Sequence, residues 1–331
     1  MADTPKIVVT RRLPEPAVDL LREAGDVWVS PDDRPLETQE LHDAVKGADV
    51  ALTLLHDKVD GAFLDAAGDQ LRAVCNVAVG YDNVDVPAAT ERGVLITNTP
   101  GVLTDATADL AMTLILAATR RIGEGERLIR NREPWSWHMF MLLGMGLQDK
   151  TLAVIGMGAI GQALARRAKA FGMDIVYFDA QRADEAVEQE LGARRVELDE
   201  LLRSADVVSV HAPLMDSTRH LINAETLGQM KETAYLVNSA RGPIVDEAAL
   251  VEALRSGQIA GAGLDVFEDE PEVHPGLLEL DNVVILPHLG SATIETRTAM
   301  ACLAAKNAIA VLNGEQPPTP VNPEVLESAR S

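Results

Sequence analysis

Gly156-Met157-Gly158-Ala159-Ile160-Gly161 follows the apolar run Leu152-Ala153-Val154-Ile155 directly and opens a stretch with helical spacing of apolar residues. The three glycines do separate jobs in such a turn. Gly156 permits the tight bend, Gly158 lets the backbone approach a pyrophosphate, and Gly161 lets helix and strand pack closely. The helix start adds unpaired N–H groups and a favourable dipole for phosphate oxygens, which makes Ala159 and Ile160 candidate contacts as well. A hexapeptide of this kind is weak on its own. Its companion is Asp179, which stands about twenty residues beyond Gly158 and just after Ile175-Val176-Tyr177-Phe178. A carboxylate there accepts hydrogen bonds from the ribose hydroxyls of an adenosine.

Three later segments end apolar runs and carry residues of another kind. Arg241 stands in Asn238-Ser239-Ala240-Arg241-Gly242, Glu270 closes Leu264-Asp265-Val266-Phe267-Glu268-Asp269-Glu270-Pro271, and His288 opens Pro287-His288-Leu289-Gly290-Ser291. A planar guanidinium grips a carboxylate with paired hydrogen bonds and polarises a neighbouring carbonyl, which lysine does less well. An imidazole exchanges a proton near neutral pH, and an adjacent carboxylate fixes its ring. Singly, each has a plainer account: a surface arginine, a loop carboxylate, a packed histidine.

The elements that must carry these residues form two series. From Lys6 to about Asn98, short apolar or β-branched runs (Ile7-Val8-Val9, Val27-Trp28-Val29, Val50-Ala51-Leu52-Thr53-Leu54, Ala73-Val74-Cys75, Val94-Leu95-Ile96) alternate with amphipathic helical patterns. This is the pattern of a parallel sheet wrapped by helices. One long helix is expected from 104 to about 130, and a second alternating series begins at Thr151. A last helical stretch, 294 to about 313, has no strand after it, so it is expected to return to the first domain; residues 317–323 read as an extended tail. The expected architecture is α/β with two doubly wound parallel-sheet domains. A Rossmann dinucleotide-binding domain, 101–287, is inserted in a flavodoxin-like substrate-binding domain, 1–100 and 288–331.

A formal net charge of −22 repels phosphate backbones and anionic membranes, so neither nucleic acid nor a membrane is an expected partner. The longest apolar helical stretch is too short to span a bilayer, and the first residues lack the pattern of a signal peptide, so a cytoplasmic protein is expected. The two cysteines, Cys75 and Cys302, sit among apolar neighbours as packed thiols, and the seven histidines show no metal-ligand spacing, so no metal is expected.

Taken in order with Val77-Ala78-Val79-Gly80-Tyr81-Asp82-Asn83-Val84-Asp85 and Thr99-Pro100-Gly101-Val102-Leu103-Thr104-Asp105-Ala106-Thr107-Ala108, these motifs resemble the D-isomer-specific 2-hydroxyacid dehydrogenase family, and most closely its glyoxylate/hydroxypyruvate reductase branch. The resemblance runs along essentially the whole chain. It implies reduction of a small 2-keto acid to the D-2-hydroxy acid, with Arg241 as substrate anchor, Glu270 orienting the base and His288 as proton donor. It further implies that Thr107, His211, Pro213, Thr218, Ser239, Ala240, Arg241, Asp265, His288 and Gly290 line a nicotinamide cofactor, with Asp265 beside the carboxamide. Leu54, Val79, Gly80, Arg241 and Ser291 are the implied substrate contacts. A 2′-phosphate would meet Asp179 as a like charge, so NADH is expected to be preferred to NADPH. Arg182 works against this, but it stands in a loop whose Asp184 and Glu185 can neutralise it.

A homodimer is expected, built on Leu114, Ile115 and Leu116 of the long helix and on Trp135, Trp137 and Phe140 of the following loop. Other readings remain open within the resemblance. A phosphoglycerate or phosphite dehydrogenase is one, and a corepressor-like, nucleotide-sensing binding protein, whose family also keeps the Arg, Glu and His, is another.

Overall fold

The computed structural model describes residues 4–328. The ends of the expected substrate-binding domain, 1–3 and 329–331, lie outside them. Contacts divide the chain into two units, one running up to Leu103 and resuming at Ala292, the other Thr104–Ser291.

The first unit holds β1 (Lys6–Val9), β2 (Asp26–Val29), β3 (Val50–Thr53), β4 (Ala73–Asn76) and β5 (Leu95–Thr97), all parallel in the order β2-β1-β3-β4-β5. This is the flavodoxin-like order. β3 and β4 are buried along their whole length because helices cover both faces, which is why they read as unbroken apolar runs. The helix Ile294–Leu312 packs on β3, β4 and the helix Glu15–Ala24. The proline-rich tail runs antiparallel beside β5, with Val321 N–H donating to Ile96 (2.8 Å) and Asn322 Oδ1 accepting from Ile96 N–H (2.7 Å).

The second unit holds β6 (Thr151–Ile155), β7 (Asp174–Phe178), β8 (Arg194–Arg195), β9 (Val207–Val210), β10 (Tyr235–Asn238), β11 (Gly261–Leu264) and β12 (Val283–Ile285). All pair in parallel, in the order β12-β11-β10-β9-β6-β7-β8. This is the doubly wound Rossmann order with one strand added. Alternate residues feed two cores: Ala153, Ile155, Val208 and Leu236 on one face, Leu152, Val154, Tyr177 and Val237 on the other. β8 consists of two exposed arginines, a short charged edge that discourages further strand addition and carries no apolar pattern to reveal it.

Two expectations are corrected here. The long helix is broken: Thr104–Thr119 ends, Arg121 turns left-handed (φ 54°), and a second helix runs Ile122–Arg130. The break is held from outside, because Met145 N–H donates to the Thr119 carbonyl (2.8 Å) and Arg121 forks onto Glu124 (2.7 and 2.8 Å). Leu114 and Ile115 are also fully buried and Leu116 is packed beside them, so they fill the core of this unit rather than a subunit interface. Burial of each such side chain is worth about 1.5–3 kcal/mol, which keeps them from turning outward.

The units change over at Leu103/Thr104 and Ser291/Ala292 rather than at 100/101 and 287/288. The shift has a local cause, since residues 288–290 are hydrogen-bonded to Asp265 of the second unit.

Candidate active site

The glycine turn leaves β6 with Gly156 at φ 96°. A Cβ at Gly156 would stand 2.6 Å from Ala212 N, and one at Gly161 would stand 2.2 Å from the Gly156 carbonyl oxygen. A Cβ at Gly158 would meet nothing within 4 Å. The turn is therefore tight on its protein side and open at Gly158, which begins the helix Ala159–Ala170 without any side-chain cap. Asp179 ties the turn to the exit of β7: one carboxylate oxygen accepts Met157 N–H (2.8 Å), the other Gln181 N–H (2.9 Å).

Further along the same sheet edge, Ser209 Oγ lies 2.8 Å from His211 Nε2, and desolvation lowers the His211 pKa to about 4, so its imidazole is neutral at neutral pH. Thr218 Oγ accepts Met215 N–H and donates to the Pro213 carbonyl, closing that loop on itself. Ser239 Oγ is buried without a hydrogen-bond partner. An orphaned buried hydroxyl is costly unless a ligand completes it. With the uncapped helix start and the open Gly158, it fits this edge to a dinucleotide.

Arg241 stands where β10 gives way to the 3₁₀ turn Gly242–Ile244. Asn238 shapes this exit by accepting Ala240 N–H (3.0 Å) and donating to the Arg241 carbonyl (2.8 Å). A Cβ at Gly242 would fall 1.8 Å from the Phe267 carbonyl oxygen, so the Arg241 exit is pressed against the loop that carries Glu270. That loop is pinned further by Glu268 and Glu247, each accepting the other's backbone N–H (3.2 and 2.6 Å), and by His220 on Glu268.

Glu270, preceding a cis proline, accepts Phe267 N–H at one oxygen (3.0 Å) and faces His288 Nδ1 with the other (2.9 Å). Burial pushes its pKa up, but the hydrogen bonds from His288 and Phe267 and the charges of His288 and Arg241 outweigh it and hold the carboxyl below the usual range. His288 itself sits in the left-handed region (φ 54°), which costs a non-glycine residue about 1–3 kcal/mol.

Asp265 supplies what holds it there. Its carbonyl accepts His288 N–H (2.9 Å), and its two carboxylate oxygens accept Leu289 N–H (2.7 Å) and Gly290 N–H (2.8 Å). Thr107 Oγ donates to the Gly290 carbonyl from the other side (3.2 Å). Asp265 is fully buried, and both its oxygens build the turn that presents His288. Ser291 follows at the end of this turn.

The other expected substrate contacts belong to the first unit. Leu54 follows β3 and donates its N–H to Asp57 (2.8 Å), and its carbonyl accepts from Asn83 (3.1 Å). Val79 and Gly80 follow β4, their carbonyls held by Asn98 (2.8 Å) and Asn76 (3.1 Å). The supporting residues Asn76, Asn83, Asn238, Glu247 and Glu268 were not expected. Each acts on backbone groups, and no spacing in the chain announces such partners. Among the described residues, no group of His, Cys, Asp and Glu is arranged to hold a metal ion, and no helix is long and apolar enough to cross a membrane.

The family model described as D-isomer specific 2-hydroxyacid dehydrogenase, NAD binding domain, matches residues 112–290. A glyoxylate reductase of Thermococcus onnurineus is 50% identical over 327 residues, 97% of this chain and 97% of that protein. Among solved structures, a protein of Thermus thermophilus is similar with a TM-score of 0.89 and 46% identity, over 96% of this chain and 99% of that one. An NADPH-dependent glyoxylate/hydroxypyruvate reductase of Sinorhizobium meliloti, solved with NADP and malonate, has a TM-score of 0.81 at 34% identity, over 96% and 97%.

Proposed function

The chain belongs to the D-isomer-specific 2-hydroxyacid dehydrogenase family, and from that premise we propose that Arg241, Glu270 and His288 carry the reduction of a small 2-keto acid, glyoxylate or hydroxypyruvate, to its D-2-hydroxy acid. The observation that carries this reading is the His288–Glu270 pair, 2.9 Å apart, on a sheet edge shared with the Arg241 exit.

Glu270 stays ionised through the working pH range and takes the Nδ1–H of His288. That leaves Nε2 to hand a proton to the carbonyl oxygen of the substrate as negative charge develops there. The Arg241 guanidinium binds the substrate carboxylate and polarises the adjacent carbonyl. When bound, the nicotinamide supplies the hydride. Gly156, Gly158, Ala159, Ile160 and Gly161 would hold its pyrophosphate and Asp179 its adenosine ribose. His211, Pro213, Thr218, Ser239, Ala240, Thr107 and Gly290 would line its remaining length. Asp179 supports a preference for NADH. Leu54, Val79, Gly80 and Ser291 are the further substrate contacts of this reading.

The active form is a homodimer, supported by an exposed apolar group in the second unit: Trp137 (76%), Met139 (69%), Phe140 (80%) and Leu143 (60%), with Ile122 and Ile129 also exposed. The two free thiols suit a reducing cytoplasm. The test is to follow oxidation of NADH and NADPH with glyoxylate, hydroxypyruvate, pyruvate and longer 2-keto acids. Turnover of the two smallest supports the reading, and none with any keto acid overturns it.

A further inference from the structure

Beside Asp179, at the exit of β7, stands a cation that a phosphate on the ribose could recruit. Arg182 is three residues on in the same loop, and its side chain is largely exposed. It is already engaged. Its Nε meets one oxygen of Glu188 (3.0 Å) and its Nη2 the other (2.7 Å), a two-point fork that suits guanidinium and carboxylate. Glu188 is held in turn: its side chain is only 11% exposed, and Tyr177 OH donates to it (2.5 Å) while accepting Ala183 N–H (3.0 Å). Tyr177 is rooted in the core beneath β7, so the carboxylate is fixed from below. The Arg182 pair and the Tyr177 bond together lower the Glu188 pKa to about 2, and the fork persists across the working pH range.

Arg195 holds the same strand end, donating twice to the Asp179 carbonyl (2.9 and 3.2 Å). Arg182, Arg194, Arg195 and Glu188 line a cavity of about 370 Å³. This corner is rich in arginine, and Arg194 is likewise paired, with Glu200 (2.7 Å).

We propose that Glu188 is a specificity-determining residue: by clamping Arg182, while Arg195 is occupied on the Asp179 carbonyl, it denies a 2′-phosphate a mobile cation, and so sets the discrimination against NADPH jointly with Asp179. Asp179 supplies repulsion, and Glu188 withholds the compensation. Among the described residues, Asp184 and Glu185, which the sequence offers as neutralising partners, make no contact with Arg182 comparable to this fork. The inference rests on the reading that Asp179 faces the ribose hydroxyls.

The experiment measures dissociation constants of NADH and NADPH by calorimetry, without keto acid, for wild type, Glu188→Gln, Arg182→Ala and the double variant. Glu188→Gln keeps the size and a hydrogen bond for Tyr177, and an unchanged thermal midpoint checks that the loop stays folded. The expected result is NADPH binding tightened roughly two- to fivefold in Glu188→Gln, the scale of releasing a surface charged pair, with NADH affinity unchanged within error. The gain should vanish in the double variant. If wild type prefers NADH but Glu188→Gln leaves NADPH affinity unchanged, the clamp is overturned and the Asp179 reading stands. A gain that survives removal of Arg182 also overturns the clamp, since Glu188 would then act only as a second negative charge. Equal wild-type affinity for both cofactors overturns the Asp179 reading and the clamp with it.

Discussion

Gly242 presses so closely on Phe267 that a single added carbon would stand 1.8 Å from the Phe267 carbonyl oxygen. The contact joins the strand exit that carries Arg241 to the loop that carries Glu270, backbone against backbone, where neither side can yield by rotating a side chain. Gly242→Ala is therefore expected to lower stability by about 1–3 kcal/mol, the usual scale of overpacking, and to depress kcat further than the lost folded fraction explains. Thermal unfolding alongside kcat at a temperature where the variant is folded checks this; wild-type values for both would show that the approach is not a constraint.

His288→Ala should reduce turnover by roughly 10²–10⁴-fold while NADH affinity stays near wild type. Glu270→Gln should cost less, because the ring keeps its place and loses only a charged partner. The native Glu270 pKa is depressed, so its stabilising contribution is complete above the ordinary carboxylate value and is lost as pH falls through the native one. The stability gap between wild type and Glu270→Gln should accordingly be flat from neutral pH down to about 5 and close below it. A gap that grew on acidification would contradict the assignment.

Asp265→Asn leaves one of the Leu289 and Gly290 N–H groups facing an amide N–H, and an orphaned buried donor costs about 1–3 kcal/mol. The His288 turn should loosen, with kcat falling and the melting temperature dropping. Burial raises the native Asp265 pKa, so the wild type loses stability as pH rises from the ordinary aspartate value through the raised one. The asparagine variant should lack that slope. Unchanged kcat in a destabilised variant would separate Asp265 from the presentation of His288.

Arg241→Lys retains charge and loses the fork. Weaker keto-acid binding and a slower chemical step are both expected, by roughly tenfold or more in kcat/KM, with cofactor affinity preserved. Steady-state kinetics that match wild type in both parameters would remove bidentate recognition from the mechanism.

Trp137→Ser combined with Phe140→Ser should convert the proposed dimer to a monomer, read as mass by sedimentation at micromolar protein. A wild type that is already monomeric there would refute the interface. Substitutions at Leu114 or Ile115 should instead unfold the second unit, because those side chains are in its core.

What the sequence determined by itself was whatever short-range physics dictates. Apolar runs alternating with helical patterns specified two parallel sheets, because a strand covered on both faces must be apolar throughout. The glycine spacing after β6 and the carboxylate after β7 specified a dinucleotide turn, because the sterics of a tight bend act within a few residues. Arg241, Glu270 and His288 stood out as candidates because their motifs follow apolar runs, and the roles proposed for them come from the family resemblance.

Tertiary structure decided whatever depends on groups far apart in the chain. It broke the helix after Thr119, through a carbonyl taken by Met145. It turned Leu114 and Ile115 inward, and it assigned the oxygens of Asp265 to backbone donors more than twenty residues away. It also chose Glu188 over Asp184 and Glu185 as the partner of Arg182. A hydrogen bond is settled by the distance and angle between two groups, and periodicity along a chain encodes neither for partners that only the folded sheet brings together.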